Sequence, residues 1–503
     1  MYKKILATVY RFFDSKKVFY LVIALLFVQA AWFALTVQYP IAFDESYHMG
    51  LIQFYTNNLL PFMSSQPPGS ESHGDVVRYS SYMYHYLFSF PYRFIDPLFD
   101  NWPLKILIFR FFNIALFVGA LFMFRKLFSH LGISRALVNF SLLMFVLVPL
   151  SPHLAATINY DNLALLLCPL FIYLIILCSQ SLRQKGILPA STLIYATAVG
   201  SIGSLVKYPF LPIFGAGMVY LAIVWFRTKA HKKTLKSISK TFGNYSLVKR
   251  LLLILLLIVS IGLFIERFGV NFAVYHRYQP VCQDMRPISE CLRYGPWARN
   301  YYRKQEVAAT NPPYDPPGHL FLPAWVSTMT NRIYFAINHN FQTYDPLPLP
   351  FYTAVVIGGF ALIMCIVFWR RIVAIDRHFI LFALAIGLYL LSLIYVNLSD
   401  YLAFRTVDYG VNGRYLLLIL PLLFILLGLG MQQFTRKVSK KHARHILGTL
   451  AVITILFTLN GGGALTYLLR SEPFWFFEPT RTFNDTLKDT LSPFVVGSHT
   501  DHN

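Results

Sequence analysis

The sequence is poor in charge, and poorest in acids. Only 13% of its 503 residues are charged, against 56% that are hydrophobic. A chain of this length with so little charge has far more apolar surface than soluble cores require, and a membrane is its natural solvent. There is no Walker-type Gly-rich loop and no internal repeat, so nothing points to an ATP-driven transporter. Cysteine is scarce as well, with five residues. Cys168, Cys178 and Cys365 fall within apolar runs, where each reads as a small buried hydrophobe, and no Cys/His spacing matches a structural zinc site. Only Cys282 and Cys291 share a polar segment. In an oxidising compartment they could form a disulfide, and spacing alone does not decide between a bond and two thiols.

The 22 acids face 44 Lys and Arg, for a formal net charge of +22. A nucleic-acid partner is excluded by where that charge lies. Six short segments (1–17, 125–135, 180–190, 227–250, 370–378 and 436–444) hold 26 of the bases and two acids, Asp14 and Asp376. Bases gathered in gaps between apolar runs are a topology signal, because cationic loops resist translocation.

The run from Val18 to about Tyr39 is long enough to cross a hydrocarbon layer of about 30 Å at 1.5 Å per residue. Lys3, Lys4, Arg11, Lys16 and Lys17 resemble the basic head of a signal peptide, but the run is too long and no clear cleavage site follows, so it is expected to stay as the first span. Further spans are predicted near 105–124, 136–156, 162–179, 187–206, 208–226, 251–266, 349–369, 379–397, 415–433 and 446–468. The stretch 251–266 is the shortest, cut by Glu266 and Arg267. Starting from a cytoplasmic N-terminus, alternation puts every base-rich gap inside. The expectation is an all-α polytopic membrane protein of about eleven transmembrane helices, with two large exoplasmic loops at 40–104 and 267–348. Their Pro, Tyr, Asn and Asp content, as in Pro312-Pro313-Tyr314-Asp315-Pro316-Pro317 and Asp345-Pro346, predicts irregular but ordered chain, with aromatics at headgroup level.

On the exoplasmic side lies Asp44-Glu45-Ser46-Tyr47-His48. In a helix, His48 would share a face with Asp44 and Glu45. A carboxylate there suits a general base for an acceptor hydroxyl, or a ligand for a divalent cation such as Mg or Mn, with His48 orienting an acid or joining the metal shell. The plainer alternative is that the acids cap a juxtamembrane helix. Two cations break the positive-inside pattern: Lys207, and Arg414 followed by Tyr415. They suit a lipid-linked phosphate, the Arg by a bidentate fork and the Lys as a point charge, and Gly410 and Gly413 would let backbone approach a ligand. The alternative is snorkelling to ordinary headgroups. Asp161 reads either as an aid to metal or acceptor or as a helix cap, and Arg405 and Asp408 either as site residues or as an ion pair.

The acidic motif in the first exoplasmic loop, the Asn159-Tyr160-Asp161-Asn162 turn, Lys207-Tyr208-Pro209 and the late Gly413-Arg414-Tyr415-Leu416 segment together resemble the GT-C class of membrane glycosyltransferases. More narrowly, Asp44-Glu45-x-x-His48 with Asn412-Gly413-Arg414-Tyr415-Leu416 is similar to a group of bacterial predicted membrane glycosyltransferases. The resemblance spans about residues 18–435, which would form the catalytic module, leaving 436–503 as a last span and exoplasmic tail. It implies transfer of a sugar from a polyprenyl-phosphate donor to a glycan, lipid or protein acceptor on the outer face of a bacterial inner membrane. Asp44 would be the catalytic base or metal-contacting acid and Glu45 its neighbour, with no nucleotide cofactor. A flippase for lipid-linked oligosaccharides would place charge mid-span, and an O-antigen-type polymerase would rely on loop arginines rather than an acid pair.

Overall fold

A computed structural model describes residues 2–42, 44–63, 65–228, 231–334, 347–375 and 378–497. Among these the chain is helical, with no strand beyond two isolated bridges, Val37 to Phe476 and Asp315 to Thr406. Among the described residues, eight helices are long and apolar enough to cross a membrane. A ninth span results if Arg135–Leu147 and Leu150–Ala156, bent by 71°, are taken as one. The two other expected spans fall on shorter or broken helices: Ala190–Val206 has 17 residues, and 415–433 divides into Arg414–Leu417 and Leu420–Lys437.

Glu266 and Arg267 do not end the span expected at 251–266. Leu247–Phe264 continues through a π-helical turn, Ile265–Gly269, into Val270–Tyr275, making 29 residues in all. The charges are absorbed locally. Glu266 pairs with Arg78 at 2.6 Å, while buried Arg267 donates to the Tyr79 carbonyl at 2.8 Å and lies over the Tyr82 ring. With these partners supplied by the first polar loop, the helix tolerates both charges.

That loop is also more regular than its composition predicts. It folds as Glu45–Thr56 and Met83–Ile95, packed on each other. The second contributes Ile288–Cys291, Gly295–Thr310 and Phe321–Tyr334. Proline opens Gly295–Thr310 at its first turn, where the missing N–H costs nothing. Cys282 and Cys291 are disulfide-bonded, with 5.7 Å between their Cα atoms. Positions 335–346, including Asp345-Pro346, lie outside the described residues.

The C-terminal tail is joined to the start of the chain rather than separate from it. Phe477 N–H donates to the Thr36 carbonyl at 2.7 Å and Trp32 Nε1 donates to Asn484 at 2.9 Å. Buried Trp475 stacks near His153 and Tyr467 and meets Phe33 edge-on.

Candidate functional site

Four elements bring charged side chains to one end of the helix bundle: the starts of Glu45–Thr56, Tyr160–Lys185 and Arg414–Leu417, and the end of Ala190–Val206. Asp44 precedes the first. Its backbone is left-handed, φ 68° and ψ 28°, a conformation that costs a non-glycine residue about 1–3 kcal/mol. Its carboxylate makes no capping hydrogen bond to its own helix. Instead Oδ2 accepts from Arg414 Nη2 at 2.9 Å, and the side chain is 49% exposed. Capping does not explain this residue.

Glu45 is held in the opposite manner, fully buried. Oε1 accepts from Arg110 Nε at 2.9 Å and from Ile158 N–H at 3.3 Å, and Oε2 from Arg110 Nη2 at 2.8 Å and Ile41 N–H at 2.7 Å. Arg110 Nη1 also donates to the carbonyls of Ala34 and Val37, both at 2.9 Å. The pair ties the end of Lys16–Thr36 to the first third of Trp102–His130. Arg110 is the element that sequence reading missed. A lone guanidinium within Ile106-Leu107-Ile108-Phe109-Arg110-Phe111-Phe112 is costly in a membrane, and that cost was the available signal.

His48 pairs with a histidine rather than with either acid. Its Nδ1 shares a hydrogen bond of 2.8 Å with His85 Nε2, and the two buried rings stack at 5.1 Å. Among the described residues no group of three or more His, Cys, Asp or Glu side chains converges as a metal site, so Asp44, Glu45 and His48 do not form one ligand set.

Asp161 and Lys207 do meet. The Lys207 ammonium, 1% exposed, is ion-paired with Asp161 Oδ1, while buried Asp161 Oδ2 has no hydrogen-bond partner among the described residues. Asn159, not Asp161, caps the helix, accepting from the Asp161 N–H at 2.9 Å. Lys207 Nζ lies between two rings, 5.3 Å from the Tyr160 centroid and 5.0 Å from that of Tyr415. The Arg414 guanidinium lies 5.4 Å from the same Tyr415 ring, which links the two cations. Tyr47, Tyr79 and Tyr294 stand around Asp44. Burial, then the charge of Asp44, pushes the Tyr294 phenol up to about 12, so it stays protonated.

The two glycines near Arg414 serve packing rather than a ligand. A Cβ on Gly413 would come within 2.3 Å of the Arg332 backbone, and one on Gly410 within 2.6 Å of Asp400 Oδ2. Arg405 lies apart from the Asp44 cluster, over the Tyr314 ring at 4.0 Å and bonded to Asn311 at 3.3 Å. Asp408 pairs with Arg332 at 3.1 Å.

The assembled site thus offers one accessible carboxylate, two cations bridged by an aromatic ring, and a wall of tyrosines. No protein-family model, curated protein or solved structure matches the chain.

Proposed function

We propose that the protein is a membrane glycosyltransferase of GT-C type, moving a sugar from a polyprenyl-phosphate donor to a cell-envelope acceptor. The reading takes eleven spans, counting the bent pair, Ala190–Val206 and the broken Arg414–Lys437 stretch, with the N-terminus cytoplasmic and Asp44 on the exoplasmic face of a bacterial inner membrane. The observation that carries it is the Asp44–Arg414 pair: a half-exposed carboxylate held in a costly backbone conformation by the cation best suited to a phosphate.

The chemistry follows from that pairing. A phosphate entering beside Lys207 and Arg414 competes with Asp44 for the guanidinium. Once displaced, the Asp44 carboxylate is free to take the proton of an acceptor hydroxyl. The acceptor oxygen bonds to the anomeric carbon as the bond from that carbon to the phosphate oxygen breaks, and the charge left on polyprenyl phosphate rests against Arg414 and Lys207. Glu45, with four hydrogen bonds to the protein, positions the loop and takes no proton. No step requires a nucleotide, because the activated sugar arrives on the lipid.

Membranes containing the protein, supplied with either a polyprenyl-phosphate-linked or a nucleotide-linked labelled sugar, test this reading. Label is expected in a lipid, glycan or protein product from the first donor alone. Transfer from the nucleotide sugar, with the lipid donor unused, would overturn it.

A further inference from the structure

At the other end of the bundle lies a polar cavity of about 340 Å³. Asp161 and Arg183 belong to one helix, Tyr160–Lys185, and 22 residues at 1.5 Å each put them about 33 Å apart. The cavity is bounded by Arg183 and Arg436, with His130, His378, Gln180 and Gln433 between them. No acid lines it among the described residues, and neither arginine forms an ion pair there.

Part of this cluster is internally satisfied. Arg183 Nη2 donates to the Tyr220 hydroxyl at 3.1 Å, and that hydroxyl shares a 3.0 Å hydrogen bond with His378 Nδ1. His130 Nε2 and Gln180 Oε1 lie 3.0 Å apart. Gln432 donates to the Gly132 carbonyl and accepts from Ser134 N–H. Gln433 differs. The residue is 6% exposed overall, its amide lines the cavity, and no hydrogen bond to the protein holds that amide among the described residues. Arg183 Nε is likewise buried without one.

Arg183 and Arg436 stand in the last turns of their helices, where a cation also offsets the helix dipole. That role explains a cation at each end. It does not explain why the last turns enclose a cavity, nor why the Gln433 amide lines it with no protein partner among the described residues. Arg183, Arg436, the Gln433 amide and His378, at the start of Phe379–Phe404, line one space. Two cations and an amide with no acid beside them among the described residues suit an anion.

We infer that this cavity is a binding site for a phosphate-bearing anion, either the headgroup of an anionic phospholipid or a soluble phosphate, gripped by Arg183, Arg436 and Gln433. The inference stands independently of the activity assigned to the Asp44 end.

The test uses the full-length protein in detergent, with retained phospholipid read by native mass spectrometry and inorganic phosphate binding read as a thermal shift. Phosphatidylglycerol is expected to be retained at least about ten-fold over phosphatidylcholine if the source is a lipid. A stabilising shift with millimolar phosphate, and no lipid preference, would identify a soluble source. Either signal should be lost in the Arg183→Gln/Arg436→Gln double variant. It should be lost as well in Gln433→Glu, which sets a carboxylate against the anion and leaves both arginines in place. A wild type that shows neither signal, or a signal unchanged in folded Gln433→Glu protein, overturns the inference.

Discussion

Arg414 Nη2 lies 2.9 Å from Asp44 Oδ2, joining residues 370 positions apart in the chain. The contact closes the bundle at the end where the polar loops emerge, and it couples the candidate base to a candidate phosphate ligand. In Arg414→Lys the charge remains but the fork is lost. Donor affinity is expected to fall by about ten-fold or more, from the loss of a charge-assisted hydrogen bond worth about 1.5–3 kcal/mol. KM for the lipid donor measures this, and an unchanged KM would remove Arg414 from donor binding.

Glu45 stands next to Asp44 in sequence but has a structural task. Glu45→Gln or Arg110→Leu alone leaves an uncompensated buried charge, and each is expected to cost about 3–5 kcal/mol. Combining Glu45→Gln with Arg110→Leu should recover part of that loss. Thermal unfolding of the detergent-solubilised variants checks it; single variants as stable as wild type would show that the pair does not hold the loop.

Several of these residues are visible in the sequence as candidates, and the reason is charge. Lys207 and Arg414 stand out because alternation from a cytoplasmic N-terminus would put them on the side poor in cations, and Asp44 because it opens an acid pair at the end of the first apolar run. Asp161 was visible as an acid in a turn, though not its pairing with Lys207. The partnerships of Glu45 with Arg110 and His48 with His85 were not legible, because they depend on how helices far apart in sequence pack, and a lone Arg or His in an aromatic run names no partner. The polar loops misled for a related reason. Proline and asparagine mark breaks, but helices such as Glu45–Thr56 form between the breaks once they have a face to bury.

Gly413 shows the same limit. Its flexibility reads equally well as room for a ligand or for another backbone, and the neighbour is Arg332. Gly413→Ala is expected to destabilise by about 1–3 kcal/mol through overpacking. A melting temperature equal to that of wild type would contradict the close crossing.

Burial pulls His48 and His85 well below the usual histidine value, aided at His48 by Arg414 and Lys207 and at His85 by its partner. The unfolded chain therefore binds more protons than the folded one below about pH 6.5. Stability should be fully present above that pH and fall by about 1.4 kcal/mol per pH unit per proton taken up as the pH drops below it. Unfolding midpoints from pH 7.5 to 5 measure the slope, and His85→Gln should flatten it. A stability that rose on acidification would have the wrong sign for a buried neutral pair.

The central claim is that Asp44 takes the acceptor's proton. Asp44→Asn keeps the size of a half-exposed side chain and an oxygen that can still accept from Arg414, and it removes the basicity; the protein should still express and fold, with an unfolding midpoint lowered by the loss of the charged partner of the buried guanidinium. Transfer from a polyprenyl-phosphate-linked sugar in membranes of this variant is predicted to fall by at least about 100-fold. Full transfer activity in folded Asp44→Asn protein would contradict the account.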